Sequence, residues 1–201
     1  MASRSSLRAA LWLAALLVSL AVPASAAAAV ETFHRFEAVA TANYTLTEQC
    51  DDGSSRTTLV SVIGGHEEES ESGVTTLDHD FLTIRIRGFD CDFNLINDFG
   101  TGDAEFEFSS SLQTASVSGT VTTRDGHVVT ANVSWTGTGP VEATSNTTTF
   151  PGFTGHFQGK RRDAAATGTV VVDGETLVDG STTNAEIETL EDTNTSTPSG
   201  D

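Results

Sequence analysis

Lysine occurs once in the 201 residues, at Lys160, tyrosine once at Tyr44, and cysteine twice, at Cys50 and Cys91. The near-absence of lysine, with 28 acidic against 10 basic residues, excludes the basic surface that a phosphate backbone or an anionic membrane requires. An acidic, threonine-rich, lysine-poor surface is also what salt-adapted proteins carry, so charge alone does not name a ligand. Few aromatics other than phenylalanine argue against the stacking platforms of a sugar-binding face. Carbohydrate binding is further weakened because Trp135 falls on an apolar strand face. No second long apolar run follows the first, so a multi-span membrane protein is excluded on sequence.

That first run is a targeting segment by pattern. Arg4 and Arg8 precede the uncharged stretch Ala9 to Val22, and Pro23 then leads to Ala24-Ser25-Ala26. A basic start, a short apolar middle and a small-x-small end define a secretory signal peptide over residues 1–26. Its removal takes two arginines and no acid, leaving a net charge of −20. The expected organisation is a signal peptide (1–26), one domain (31–191) and a polar, disordered tail (192–201). The product is expected to be secreted, with no nucleic-acid partner and no membrane contact after cleavage.

Sustained helical spacing of apolar residues is missing as well. In its place, period-two alternation runs along most of the chain, cut by Gly and Asp-Gly turns. Phe36, Ala38, Ala40, Ala42, Tyr44 and Leu46 share one face, and Cys50 has the same parity. Leu82, Ile84 and Ile86 oppose Thr83, Arg85 and Arg87, and Phe106 and Phe108 oppose Glu105 and Glu107. The phenylalanines that alternate with polar residues are read as core. His66 to Gly73 reads as a charged loop, and the stretch after Trp135 as a long polar connection to Pro151. The pattern predicts an all-β fold of antiparallel strands with one disulfide. A β-sandwich is favoured, with a β-barrel as the alternative.

One hairpin can be registered residue by residue. A two-residue Asp125-Gly126 turn would mix the faces of Ala115 to Trp135. A three-residue turn, Arg124-Asp125-Gly126, pairs Val121 with Val129, Gly119 with Ala131, Val117 with Val133 and Ala115 with Trp135. All apolar residues then share one face, with Gly126 in the left-handed position. A related unit follows, since Ser118 to Val129 and Thr167 to Val178 share Gly-Thr-Val and Asp-Gly.

Two cysteines in a secreted chain most simply form one bridge, Cys50–Cys91. Such a bridge makes neighbours of Asp51, Asp52, Asp90 and Asp92, which either splay into water or hold a cation. Calcium is the ion that hard carboxylate oxygens suit. The loop from Asp90 is not a helix-loop-helix calcium motif, because Leu95 and Thr101 stand where glycine and glutamate are needed. His66-Glu67-Glu68-Glu69 lacks the second histidine of a zinc protease helix. In Asp78-His79-Asp80 the ring points away from both aspartates on a strand. No Gly-x-Ser-x-Gly elbow, phosphate loop or dinucleotide glycine pattern occurs. No catalytic residue is therefore assigned. Asn43, Asn132, Asn146 and Asn194 begin glycosylation sequons.

From Trp135 onward, the pattern Trp135-x-Gly137-x-Gly139-Pro140, then Arg162, Ala164, Ala166, Gly168 and Val170, resembles a set of uncharacterised secreted proteins of high-GC Gram-positive bacteria. The resemblance covers about the last 60 residues well and the two-cysteine half loosely. It implies secretion and a β fold, and carries no functional residue with it. The expected function is a non-enzymatic extracellular module that binds an unidentified ligand or protein. The alternatives are a hydrolase with a site built from scattered loops, and a purely structural secreted protein.

Overall fold

The computed structural model describes residues 30–197, so the signal-peptide segment and the last four residues of the expected tail lie outside the described residues. Nine antiparallel strands and no helix make up that span: β1 (Glu31–Gln49), β2 (Ser55–Glu71), β3 (Val74–Phe89), β4 (Leu95–Phe108), β5 (Thr114–Thr122), β6 (Val128–Gly137), β7 (Glu142–Phe150), β8 (Phe153–Val172) and β9 (Glu175–Ser196). Neighbours pair in the order β6-β5-β4-β3-β2-β1-β9-β8-β7, and β6 also pairs with β8. That extra ladder, Val129↔Val172 to Gly137↔Ala164, closes an eight-stranded barrel and leaves β7 as an appendage on the first half of β8. The all-β antiparallel class and the disulfide hold, and the architecture is the barrel alternative rather than the favoured sandwich.

The difference from a sandwich is one pairing. Both architectures bury one face of every strand, so the alternation is the same in each. The inside is tightly filled. Trp135 is 1% exposed among Val60, Val62, Leu82, Ile84, Val117 and Ile187. Its indole Nε1 donates to the Thr41 carbonyl at 2.9 Å. Alanines at positions 38, 40, 42, 131, 164 and 166 keep the lumen narrow. A Cβ on Gly64 would stand 2.7 Å from the Val117 Cβ, so glycine lets β2 and β5 approach across the interior. Outward positions such as Arg85, Arg87, Glu105 and Glu107 are exposed and charged, the reverse of a lipid-facing barrel wall.

The expected hairpin register is the one found, from Ala115↔Trp135 to Val121↔Val129. The Gly126 N–H donates to the Thr123 carbonyl, and Gly126 has φ +94°. Three other expectations change. The His66–Gly73 loop is strand through Glu71, because Arg35 on β1 meets Glu67 at 2.6 Å and Glu69 at 3.7 Å across the outer face. The long polar connection contains β7, whose nine residues are all exposed and which therefore carries no apolar alternation to read. Asp192 to Ser196 pairs with both β1 and β8 instead of forming a tail. The phenylalanines also divide differently. Phe106 is buried, but Phe89, Phe93, Phe99, Phe150, Phe153 and Phe157 are exposed, and the core is chiefly aliphatic.

Candidate functional site

The expected bridge forms, with the Cys50 and Cys91 Cα atoms 5.5 Å apart. It joins the β1–β2 turn to the β3–β4 turn at one end of the barrel. The four flanking carboxylates do not converge. Asp52 Oδ1 accepts the Ser54 N–H at 2.8 Å and the Ser54 hydroxyl. Asp90 Oδ1 accepts the N–H groups of Asp92 (2.9 Å) and Asn94 (2.8 Å), and its Oδ2 accepts from the Asn94 amide. These bonds, led by the Ser54 and Asn94 side chains, hold both carboxyls below the ordinary value. Asp51 and Asp92 face solvent. Among the described residues no three His, Cys, Asp or Glu side chains gather to ligate an ion.

The same barrel end holds a better-formed site. A cavity of about 610 Å³ opens there, with Ile86, Leu95, Ile96, Val172 and Leu177 as its apolar lining and Asp98, Asp125, His127, Asp173 and Glu175 around them. Ile96, Val172 and Leu177 pack against the barrel core, so the floor of the cavity is the top of the core itself. Three structural units build its walls: the β3–β4 pair with its disulfide-clamped turn, the β5–β6 turn, and the β8–β9 turn.

The last two are the related Asp-Gly units of the sequence, and the β6–β8 pairing places their turns side by side. Val128 N–H donates to Asp173 Oδ1 at 2.8 Å, and the Asp173 N–H donates to the Val128 carbonyl at 2.9 Å. His127 Nδ1 lies 2.6 Å from Asp173 Oδ2. That hydrogen bond, reinforced by the Asp173 charge and then by Asp98 and Asp125, raises the His127 imidazole above its usual value. The Asp173 carboxyl is lowered in turn, first by His127 and then by the Val128 N–H. The turns are not copies. The first has three residues, whereas the second is a two-residue turn with Asp173 at φ 50° and Gly174 at φ 89°.

Asp98 holds the centre of the arrangement. It sits on β4 opposite Ile86 and is only 5% exposed. Its Oδ1 accepts the Phe99 N–H at 2.8 Å and the Asp125 N–H at 3.2 Å, which draws the β5–β6 turn onto β4. Its Oδ2 is buried and makes no close hydrogen bond. Burial pushes this carboxyl up, but the Thr123 hydroxyl beside it and the two backbone N–H groups outweigh burial and hold it below the ordinary value. Gly100 permits the closeness, since a Cβ there would stand 2.8 Å from the Thr122 carbonyl oxygen. Arg124 lies just outside, with its N–H donating to the Phe99 carbonyl, its guanidinium donating to the Asn97 carbonyl at 2.5 Å, and Nε 3.1 Å from Asp125.

Asp98 belongs to no motif in the sequence. The signal was present, because Asp98 has the inward parity of Gly100, Gly102 and Phe106 on one strand, and a carboxylate at an inward position is out of place in a core. His66 and the Asp78-His79-Asp80 segment are likewise joined only by the fold. His79 does face away from its neighbours, but His66 Nδ1 meets Asp80 Oδ1 at 2.8 Å across the β2–β3 ladder, and Asp80 Oδ2 accepts the Phe106 N–H. This pair lies toward the other barrel end, where His34 Nε2 also meets Glu191 at 3.1 Å. Near them Phe36, Phe108, Gln158 and Lys160 border a small cavity of about 130 Å³.

Fold and site together define a closed, antiparallel, disulfide-bridged β-barrel with a ligand-sized cavity at its bridged end. No family model, no curated protein and no solved structure matches the chain.

Proposed function

We propose that this protein is a secreted, non-enzymatic binding module that takes a small ligand in the cavity between the two Asp-Gly turns and the bridged β3–β4 turn. The observation that carries this reading is the cavity itself. Its volume of about 610 Å³ falls in the range of small-molecule sites, and it has the usual mix of apolar lining and a few convergent polar groups. The bridge supports secretion, because such bonds persist in oxidising compartments. The signal-peptide pattern and the resemblance to secreted proteins of high-GC Gram-positive bacteria point the same way.

Binding is preferred over hydrolysis on the chemistry of the lining. His127 is held by a carboxylate, as a catalytic base would be, but among the described residues no hydroxyl or thiol is hydrogen-bonded to its ring. The test is saturation-transfer NMR of the secreted protein with a set of small apolar and amphipathic fragments, repeated on Leu95→Trp. Leu95 is exposed on the rim, so an indole there fills the cavity from its mouth without disturbing the core. The expected result is fragment binding to the natural protein, loss of it in Leu95→Trp, and the same melting temperature for both. Equal binding by both proteins would move the site elsewhere.

A further inference from the structure

We infer that the cavity selects an ammonium group carried on an apolar stem, and that Asp98 and Glu175 confer the selectivity. This rests on the binding-module reading and deepens it. The acidic character of the surface would not be enough, since a chain of net charge −18 shows carboxylates everywhere. The distinguishing observation is the position and bonding of Asp98. It is more than nine-tenths buried, it borders the cavity, and its Oδ2 makes no close hydrogen bond, with only the Thr123 hydroxyl beside the group. A buried ionised oxygen without a close hydrogen bond carries a desolvation penalty that a cationic guest relieves and a neutral or anionic guest does not.

The charges around the cavity agree in sign. Four carboxylates face it: Asp98, Asp125, Asp173 and Glu175. Arg124 stands against Asp125 from outside and His127 stands against Asp173, so each of these is already answered. Among the described residues Asp98 and Glu175 have no ion-pair partner within 4 Å; Asp98 feels His127 and Arg124 only from a distance, so two carboxylates without a direct cation stand over an apolar floor of Ile86, Ile96, Val172 and Leu177. A group of charge +1 joined to a hydrocarbon or aryl stem satisfies both halves of this surface. A metal ion satisfies only the charge, and no three ligating side chains gather among the described residues to hold one. The stem can belong to a free amine or to a lysine side chain, and the chemistry recognised is the same.

The test compares three probes with one apolar body on the full secreted protein: 4-phenylbutylammonium, 4-phenylbutanol and 4-phenylbutyrate. Acetyl-Ala-Lys-Ala-amide is added as the peptide-borne ammonium. Binding is followed by titration with NMR of the Ile86, Ile96 and Leu177 methyl groups, near pH 7 at low ionic strength. The ammonium probe is expected to bind at least tenfold more tightly than the alcohol, and the carboxylate most weakly. Asp98→Asn and Glu175→Gln should each weaken the ammonium probe at least fivefold and leave the alcohol unchanged. Glu105→Gln, which removes the same charge from the outer face, should change neither. Because Glu175 is exposed at the start of β9, its variant keeps the test alive if Asp98→Asn fails to fold. The ratio of the peptide to the free amine tells which carrier the cavity prefers. Equal affinity for all three probes, or equal effects of Glu175→Gln and Glu105→Gln, overturns the ammonium inference and leaves the binding module standing. If no probe moves the methyl resonances at millimolar concentration, both readings fall.

Discussion

Asp173 and His127 show how one residue can fasten two turns. The carboxylate of Asp173 caps the Val128 N–H and meets the imidazole of His127, so it bridges the β8–β9 and β5–β6 hairpins. The pH dependence follows from the two directions of shift. The raised imidazole contributes fully below its ordinary value of 6.5 and loses its contribution as pH rises through the higher folded value. The lowered carboxyl contributes fully above its ordinary value of 3.8 and loses its contribution as pH falls through the lower folded value. Both are complete only between those ordinary values. The melting-temperature difference between the natural protein and His127→Ala should therefore be largest near pH 5 and shrink toward pH 9 and pH 2. The pair is exposed, so the difference will be small, and a difference flat across pH would remove the ion pair as its cause.

Calcium is tested at the same scale. Asp52 and Asp90 already direct their oxygens at their own turns. Thermal unfolding with calcium and with chelator is expected to give the same midpoint, and a rise with calcium would place an ion among Asp51, Asp52, Asp90 and Asp92.

At the scale of elements, turn chemistry and close approach matter more than strand propensity. Gly126, at φ +94°, closes the registered hairpin, so Gly126→Ala should cost about 1 kcal/mol, read by urea unfolding. Gly168 is a stricter case. A Cβ there would stand 2.3 Å from the Asn132 carbonyl oxygen and 2.7 Å from the Val133 Cα, both backbone atoms of β6. Since β6–β8 is the ladder that closes the barrel, Gly168→Ala should destabilise by about 1–3 kcal/mol and broaden the NMR resonances of β6 and β8 first. A loss no larger than that at the open turn position Gly126 would mean that the ladder adapts.

Legibility also divides by element. Strands with an apolar inner face, such as β1, β3, β5 and β6, can be recognised from that face, although their ends cannot. Strands that are polar on both faces cannot, and β7 and the second half of β2 read as loops in the sequence. Their order comes from backbone pairing with already placed neighbours, which leaves no trace in hydrophobic alternation. The hairpin register was legible because only one turn length puts Val117, Val121, Val129, Val133 and Trp135 together. The acidic turn residues are legible as neighbours of the disulfide, but whether they splay or converge is not, because it depends on bonds such as Asp52 to Ser54 and Asp90 to Asn94.

The molecule as a whole is a barrel filled by one tryptophan and a chiefly aliphatic core, bridged where its cavity opens. Trp135→Ala should cost about 3–5 kcal/mol, because the cavity left inside a closed barrel cannot collapse freely. Replacing both cysteines by serine should cost about 4 kcal/mol on the chain-entropy model, given that the bridge spans 41 residues. If reduction left the midpoint of denaturant unfolding unchanged, the bridge would have no share in global stability. Because it clamps the β3–β4 turn, its loss should also loosen Leu95 and Ile96 at the cavity.

The β class, the inner faces of the apolar strands, the register of one hairpin and the pairing of the only two cysteines all follow from the order of the residues. Each of these depends on neighbours along the chain, on a single possible partner, or on a period that a one-residue slip would invert. Tertiary structure alone decided that the sheet closes through β6 and β8, that the two Asp-Gly turns meet, and that Asp98 faces a cavity between them. Closure depends on a pairing between strands separated by β7, and the alternation of apolar residues is the same whether or not that pairing forms.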